Sequence, residues 1–251
     1  MYEIIIQSIV QGITEFLPVS SSAHLILFTE IFLVKKNNII LYISLHVGSF
    51  LAIIFYFTKD LNNFLKNKEL LIKVLISSIP TGLFGIILIK LELLEHLRNL
   101  YVISFTTIFF ALIMFISDFN NYKNTIKKNF SYKSACILGV FQILSLIPGT
   151  SRSGIILTTA RFLKFHKIEA AKLSFLTSLP ILFYALTYNL FKILEQNSLA
   201  SYSVNTLGIF FSFIFSYITI KFFLKFLQNF NLTFFVLYRI ILGLIILLCI
   251  K

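Results

Sequence analysis

Charge is scarce in this chain. Asp, Glu, Lys and Arg make up 13% of its 251 residues, about half the share of an ordinary soluble domain. Hydrophobic residues account for 58%, and mean hydropathy is +0.91. These values exclude a water-soluble globular domain and predict one integral membrane domain. Cysteine is nearly absent. Cys136 and Cys249 lie far apart in apolar stretches, which excludes a disulfide framework and predicts two buried thiols. Acidic residues are few, 10 against 22 Lys and Arg. The resulting charge of +12 is not gathered into one patch, which argues against a nucleic-acid footprint. The first residues lack a basic n-region and a small-residue cleavage site, so no removable signal peptide is expected.

Long apolar runs fill the space that charge leaves. A spanning helix needs roughly 20 apolar residues, and six segments qualify: about 39–57, 72–90, 100–117, 173–192, 206–224 and 232–250. Residues 2–33 and 134–163 are long enough for a span, but each is cut by a proline and a burst of polar residues. Hydrocarbon offers no hydrogen bonds, so polar irregular backbone at that depth survives only inside protein or beside water. Each interrupted segment therefore reads as a re-entrant pair: a short helix in, a turn at Pro18 or Pro148, and a short helix out. A single proline-kinked span is the alternative, and the clustering of four or more polar groups at each break counts against it.

Lys and Arg concentrate on the cytoplasmic side of membrane proteins. With the N-terminus outside and both pairs re-entrant, the inside regions hold Lys59, Lys66, Lys68, Lys73, Lys123, Lys127, Lys128, Lys133, Arg161, Lys164, Lys167, Lys172, Lys221 and Lys225. The outside keeps Lys35, Lys36, Lys90, Arg98, Lys192 and Lys251, with Arg152 and Arg239 inside the membrane segments. Eight full crossings would scatter the basic loops over both sides. The expected fold is thus an all-α integral membrane protein of six transmembrane helices and two re-entrant pairs. It forms an inverted-topology repeat, residues 1–117 and 134–251, in which the two breaks meet near the midplane.

The breaks carry the chemistry. The first reads Gln11-Gly-Ile-Thr-Glu15-Phe-Leu-Pro18-Val-Ser20-Ser21-Ser22-Ala-His24, the second Pro148-Gly149-Thr150-Ser151-Arg152-Ser153-Gly154. Helices starting after each proline would aim free N–H groups into one pocket, which favours an anion. Arg152 adds a rigid guanidinium suited to phosphate oxygens. Glu15 is a metal ligand, an acid–base group, or a partner for Arg152. Gln11 lies one turn earlier on the same face. Ser21 is a nucleophile, a phosphate contact or a helix cap, and His24 can reach back to it. His46 reads as structural, Arg239 as packing or a headgroup contact near the inner face. His96 and His166 lie in loops and receive no role.

On these two runs, and on the flanking Leu45-His-Val-Gly48-Ser and Phe175-Leu-Thr-Ser-Leu-Pro180, the chain resembles the undecaprenyl-diphosphatase family, also called bacitracin resistance proteins. The family patterns are (Glu/Gln)-x-x-x-Glu followed by Pro-x-Ser-Ser-x-x-His, and Pro-Gly-x-Ser-Arg-Ser-Gly. Every fixed position is matched, and the similarity runs nearly end to end. The resemblance implies hydrolysis of a lipid diphosphate, undecaprenyl diphosphate, to the monophosphate carrier of cell-wall precursors. It implies a bacterial inner-membrane location and a divalent cation, Mg2+ or Ca2+, on Glu15 with Gln11. It also implies a phosphate cradle of Gly149, Thr150, Ser151, Arg152, Ser153, Gly154, Ser20 and Ser22, with Ser21, His24, Glu15 and Arg152 catalytic. The expected partners are lipid substrate and membrane lipids, with homodimerisation left open. Two departures stand out. Position 11 is Gln, leaving Glu15 as the first motif's lone carboxylate. Ile155 and Ile156 follow Gly154 where the family often has a threonine soon after, with Thr158 and Thr159 coming later. Whether Ser21, His24 or water attacks stays open at this point, and a polyprenyl-phosphate transporter or flippase is the rival reading.

Overall fold

The computed structural model describes residues 2–31, 39–58, 66–93, 97, 99–119, 122–195 and 206–249, and every regular element among them is a helix. In chain order these are α1 (Tyr2–Thr14), α2 (Ser21–Ile31), α3 (Ile39–Tyr56), α4 (Lys68–Lys90), α5 (Leu100–Ser117), the short α6 (Ile126–Asn129), α7 (Tyr132–Gln142) with a 3-10 turn at Ile143–Leu146, α8 (Arg152–Phe162), α9 (Lys167–Glu195), α10 (Thr206–Asn229) and α11 (Thr233–Cys249). Each predicted apolar segment is a helix. Among the described residues four are long and apolar enough to cross a membrane: Lys68–Lys90, Leu100–Ser117, Lys167–Tyr188 and Thr206–Asn229. Leu41–Tyr56, Tyr132–Leu146 and Thr233–Leu248 are shorter apolar helices. The interrupted segments break at the polar runs, between α1 and α2 and between α7 and α8. Lys35, Lys36, Lys59, His96, Arg98 and Lys251 lie outside the described residues, as do the side chains of Lys192 and Cys249.

Close approach of backbones sets the packing. In lipid, helices gain little from apolar burial alone and pack through small residues and hydrogen bonds. Helix α10 runs against α1 and α3, and glycines make both crossings possible. A Cβ on Gly48 would lie 2.4 Å from the Ile209 carbonyl oxygen, and one on Gly12 would lie 2.7 Å from Phe215 Cβ. Hydroxyls seal the seam: Ser216 Oγ donates to Ser49 Oγ at 3.0 Å and Ser212 Oγ to the Leu45 carbonyl at 2.7 Å. Helix α7 meets α4 in a similar way at Gly139, where a Cβ would stand 3.0 Å from the Ile76 carbonyl. The remaining main contacts are α5 on α11, α8 on α9, α9 on α4 and α3 on α9. Gly48→Val would wedge α3 from α10 against rigid main chain. Overpacking of this kind costs roughly 1–3 kcal/mol or more, and melting of the purified protein in detergent should fall by several degrees.

The segments predicted to share the basic side meet at one end of the molecule. The Lys73 ammonium sits 5.1 Å from the centre of the Tyr132 ring. The Asp118 carboxylate accepts from the Leu232 N–H at 2.8 Å and pairs with Arg161 at 3.0 Å. Lys167 Nζ donates to the Phe230 carbonyl at 2.9 Å, and the Ile126 N–H donates to Glu169 at 3.0 Å. Arg161, counted among the loop cations from sequence, is buried in this latch, over the Tyr122 ring. Breaking a buried pair from one side strands a charge at roughly 3–5 kcal/mol. Asp118→Ala should therefore lower the melting temperature by roughly 6 °C or more. Cys136 corrects an expectation: its thiol is free and exposed. Helix α7 buries Ala135, Leu138, Gly139 and Gln142, so position 136 falls on the opposite face, where apolar side chains would meet lipid.

Candidate active site

Both breaks end in the same local structure. Ser20 and Ser151 have φ of 74° and 70°, left-handed backbone that non-glycine residues adopt at a cost and that concentrates at functional sites. Each serine caps the helix that follows. Ser151 Oγ accepts from the Gly154 N–H at 3.1 Å and Ser20 Oγ from the Ala23 N–H at 3.4 Å. Each also pairs with the serine two residues on, Ser151 with Ser153 and Ser20 with Ser22, at 3.2 Å in both cases. The N–H groups of Ser21 and Ser22 at the start of α2, and of Arg152 and Ser153 at the start of α8, are left without a helix partner among the described residues.

The second turn is wedged against α5. Gly149 has φ of 90°, and a Cβ there would stand 2.1 Å from Thr106 Oγ1. That hydroxyl donates to the Pro148 carbonyl at 2.6 Å, and Thr107 donates to the Gly149 carbonyl at 3.4 Å. Thr150 is fully buried, with no hydrogen-bond partner for its Oγ1 among the described residues. Ser153 Oγ reaches the Leu17 carbonyl at 2.8 Å, tying the second break directly to the first.

Glu15 is the hub. Ser21 Oγ donates to its Oε2 at 2.7 Å, Gln11 Nε2 donates to the same oxygen at 3.0 Å, and Arg152 Nη2 pairs with Oε1. Arg152 Nη1 also donates to the Ser178 carbonyl at 3.4 Å, on α9. Glu15 is buried, Ser21 and Arg152 are half-buried, and Ser22 is exposed, so the cluster opens beside Ser22. Behind it lie packed phenylalanines: Phe175 meets Phe16 and Phe223 edge-on at 5.6 and 6.2 Å, and Phe57 at a tilt at 6.0 Å.

The structure adds residues that sequence reading placed elsewhere. His46, read as structural, lies with Nδ1 3.1 Å from Gln11 Nε2 and so belongs to the Glu15 cluster. His24 does not pair with Ser21. Its Nδ1 lies 2.7 Å from the Ser20 carbonyl, its Nε2 2.6 Å from the Tyr238 hydroxyl, and the two rings stack with 4° between their planes. A carbonyl only accepts, so Nδ1 carries the proton and Nε2 accepts from Tyr238. Arg239 sits between the two breaks, fully buried. Thr158 and Thr159 do not supply the missing hydroxyl. Both line an apolar crevice of about 390 Å³ between α5, α7 and α8, and Thr159 bonds back to Ile155 at 2.8 Å.

Hard oxygen donors suit a hard cation. The Glu15 carboxylate stands beside Gln11, whose Oε1 is buried without a hydrogen-bond partner among the described residues. Those residues contain no group of three or more His, Cys, Asp or Glu fit to hold a metal by themselves. One carboxylate plus one carbonyl meets what Mg2+ takes from protein when phosphate and water complete its shell.

Several membrane-length apolar helices, with two broken segments that join a carboxylate, a serine and a guanidinium in one polar cluster, define a polytopic membrane protein. The profile of the Bacitracin resistance protein BacA family matches residues 4–245, and the chain belongs to that family. It is 42% identical over 249 residues to the undecaprenyl-diphosphatase of Pelagibacter ubique, covering 99% of this chain and 97% of that protein. The undecaprenyl-diphosphatase of Saccharophagus degradans is 36% identical over 248 residues, with 94% and 93% covered. That of Aliivibrio salmonicida is 36% identical over 255 residues, with 96% and 95% covered.

Proposed function

We propose that the chain hydrolyses undecaprenyl diphosphate to undecaprenyl phosphate and inorganic phosphate. It would thereby recycle the lipid carrier of cell-wall synthesis and confer bacitracin resistance. The observation that carries this reading is the Glu15 carboxylate, which holds Ser21 on one oxygen and Arg152 on the other. A hydroxyl with a base at 2.7 Å beside a phosphate-binding guanidinium is equipment for phosphoryl transfer, and a carrier has no need of it.

Arg152 and the first-turn N–H groups of α2 and α8 take the phosphate oxygens, with Ser20, Ser22, Ser151, Ser153, Thr150, Gly149 and Gly154 shaping the cradle. Ser21 Oγ attacks the terminal phosphorus as its proton passes to Glu15 Oε2. The bond from phosphorus to the bridging oxygen breaks, and the lipid monophosphate leaves as an anion. Water then cleaves the phosphoserine, with His24 Nε2 taking its proton once Tyr238 yields. Glu15 and Gln11 Oε1 would hold a divalent cation, Mg2+ or Ca2+, which when bound neutralises phosphate charge.

The architecture we propose is six spans and two re-entrant pairs in an inverted repeat of residues 1–117 and 134–251. The packing supports it. Exchanging α1, α3, α4 and α5 with α7, α9, α10 and α11 converts the α1–α10 contact into α7–α4 and α3–α10 into α9–α4, and returns α3–α9 and α5–α11 to themselves. The serine caps at 20 and 151 obey the same exchange. The lysine-rich end is the cytoplasmic one, with the phenylalanines behind Glu15 towards it. The pocket then opens at the outer face of the inner membrane, where lipid enters sideways. A cysteine placed at Ser22 should react with an impermeant thiol reagent added outside intact cells carrying Cys136→Ser. Protection from outside with reaction only after lysis would reverse the orientation.

The function is tested by phosphate release from undecaprenyl diphosphate by the purified protein in detergent, with and without chelator. Turnover that stops on chelation and returns with Mg2+ or Ca2+ is expected. No turnover under any condition would favour a lipid-phosphate transporter or flippase, since detergent leaves no two-sided membrane.

A further inference from the structure

Arg239 lies in the last apolar helix and is fully buried. Its Nη2 donates to the carbonyls of Gly149 and Thr150, both at 3.0 Å, and its Nη1 to the Pro18 carbonyl at 3.4 Å. A Cβ built on Gly154 would stand 3.0 Å from Nη1, so the guanidinium also underlies the first turn of α8. Among the described residues no carboxylate pairs with it. Burying a charge is costly unless it is paired and hydrogen-bonded, and joining two turns would not by itself require a cation.

We propose that Arg239 is a positioning residue for the reaction: one guanidinium clasps the main-chain carbonyls of both breaks, and its unpaired charge lies directly behind the phosphate cradle. Two consequences follow from the geometry. In a trans peptide the C=O and N–H point opposite ways. A Thr150 carbonyl drawn onto Arg239 therefore turns the Ser151 N–H away from it, and that N–H has no hydrogen-bond partner among the described residues. The clasp thus aims a donor while fixing the left-handed turn at Ser151. The charge itself comes second. Glu15 and Arg152 offset one another, so among the side chains at the two breaks Arg239 is the surplus positive charge, and it favours an anion in addition to whatever a bound cation contributes.

The proposal rests on the phosphatase reading, and its test separates the two. Turnover of undecaprenyl diphosphate in detergent is measured for wild type, Arg239→Lys and Arg239→Met, with kcat, KM, inhibition by inorganic phosphate, and melting recorded together. Lys keeps the charge but cannot span three carbonyls, so kcat should fall at least tenfold with KM within about threefold of wild type. Met loses both, so kcat should fall as far while KM and the phosphate inhibition constant rise at least fivefold. A merely structural arginine would lower melting and active fraction without that split. Folded Lys or Met variants with kcat and KM within twofold of wild type overturn the proposal, as does activity loss that tracks the folded fraction alone. Should both fail to fold, Gly154→Ala presses a methyl on Nη1 at 3.0 Å, and on the Ser151 side chain at 3.1 Å, without touching the charge. It should lower kcat and spare KM, and unchanged turnover there would equally overturn the proposal. A wild type that releases no phosphate refutes the phosphatase reading instead.

Discussion

Arg152→Lys should lower kcat/KM for the lipid diphosphate by about a hundredfold or more, about 2.7 kcal/mol of transition-state stabilisation. Charge is conserved in this exchange, so its effect isolates geometry. The guanidinium bonds Glu15 with one nitrogen and the Ser178 carbonyl with the other, and its planar fork presents the remaining donors in fixed directions to phosphate oxygens. A lysine ammonium offers three donors on a flexible stem and cannot meet both anchors and substrate in one plane. Lys127→Ala, on the exposed helix α6 at the opposite end from the pocket, should leave turnover within twofold of wild type. Phosphate release in detergent measures both. Normal turnover by Arg152→Lys would remove this residue from the phosphate cradle.

Ser21→Ala should cost more, roughly a thousandfold or above in kcat, as loss of a nucleophile does. Acid quenching of wild type during turnover should leave phosphate on Ser21, found by mass spectrometry of the peptide that carries it. His24→Ala should slow breakdown of that adduct and so raise its steady-state level. Phosphate found on His24 would move the nucleophile there. No adduct together with an active Ser21→Ala would assign the attack to water.

Much of this was legible in the sequence because the bilayer penalises anything unexplained inside it. Pro18 and Pro148, each followed by hydroxyls and a basic residue, stood out within apolar runs, and both helix breaks fall on them. The apolar segments became helices for the same reason. What stayed hidden depends on partners that leave no mark in a side-chain pattern. Arg239 read as a packing or headgroup residue because its partners are main-chain carbonyls, 221, 90 and 89 residues away. His46 read as structural because Gln11, which joins it to Glu15, lies 35 residues earlier. The spacing of Ser21 and His24 suggested a pair on one helix face. The left-handed turn at Ser20 instead leaves its carbonyl to His24 and turns Ser21 towards Glu15. Cys136 was misread because an apolar run in a membrane protein does not say which face meets lipid.

The central claim is that two breaks, one from each half of the chain, form a single catalytic pocket. A double-mutant cycle on Glu15→Gln and Arg152→Lys tests it most directly, with kcat/KM for undecaprenyl diphosphate read for wild type, both single variants and the double variant. Residues in contact couple strongly, whereas distant independent sites add. One shared pocket predicts a double variant within about tenfold of the worse single variant, because the second change removes a partner already lost. A double variant as slow as the product of the two single losses would contradict it and place Glu15 and Arg152 in separate sites.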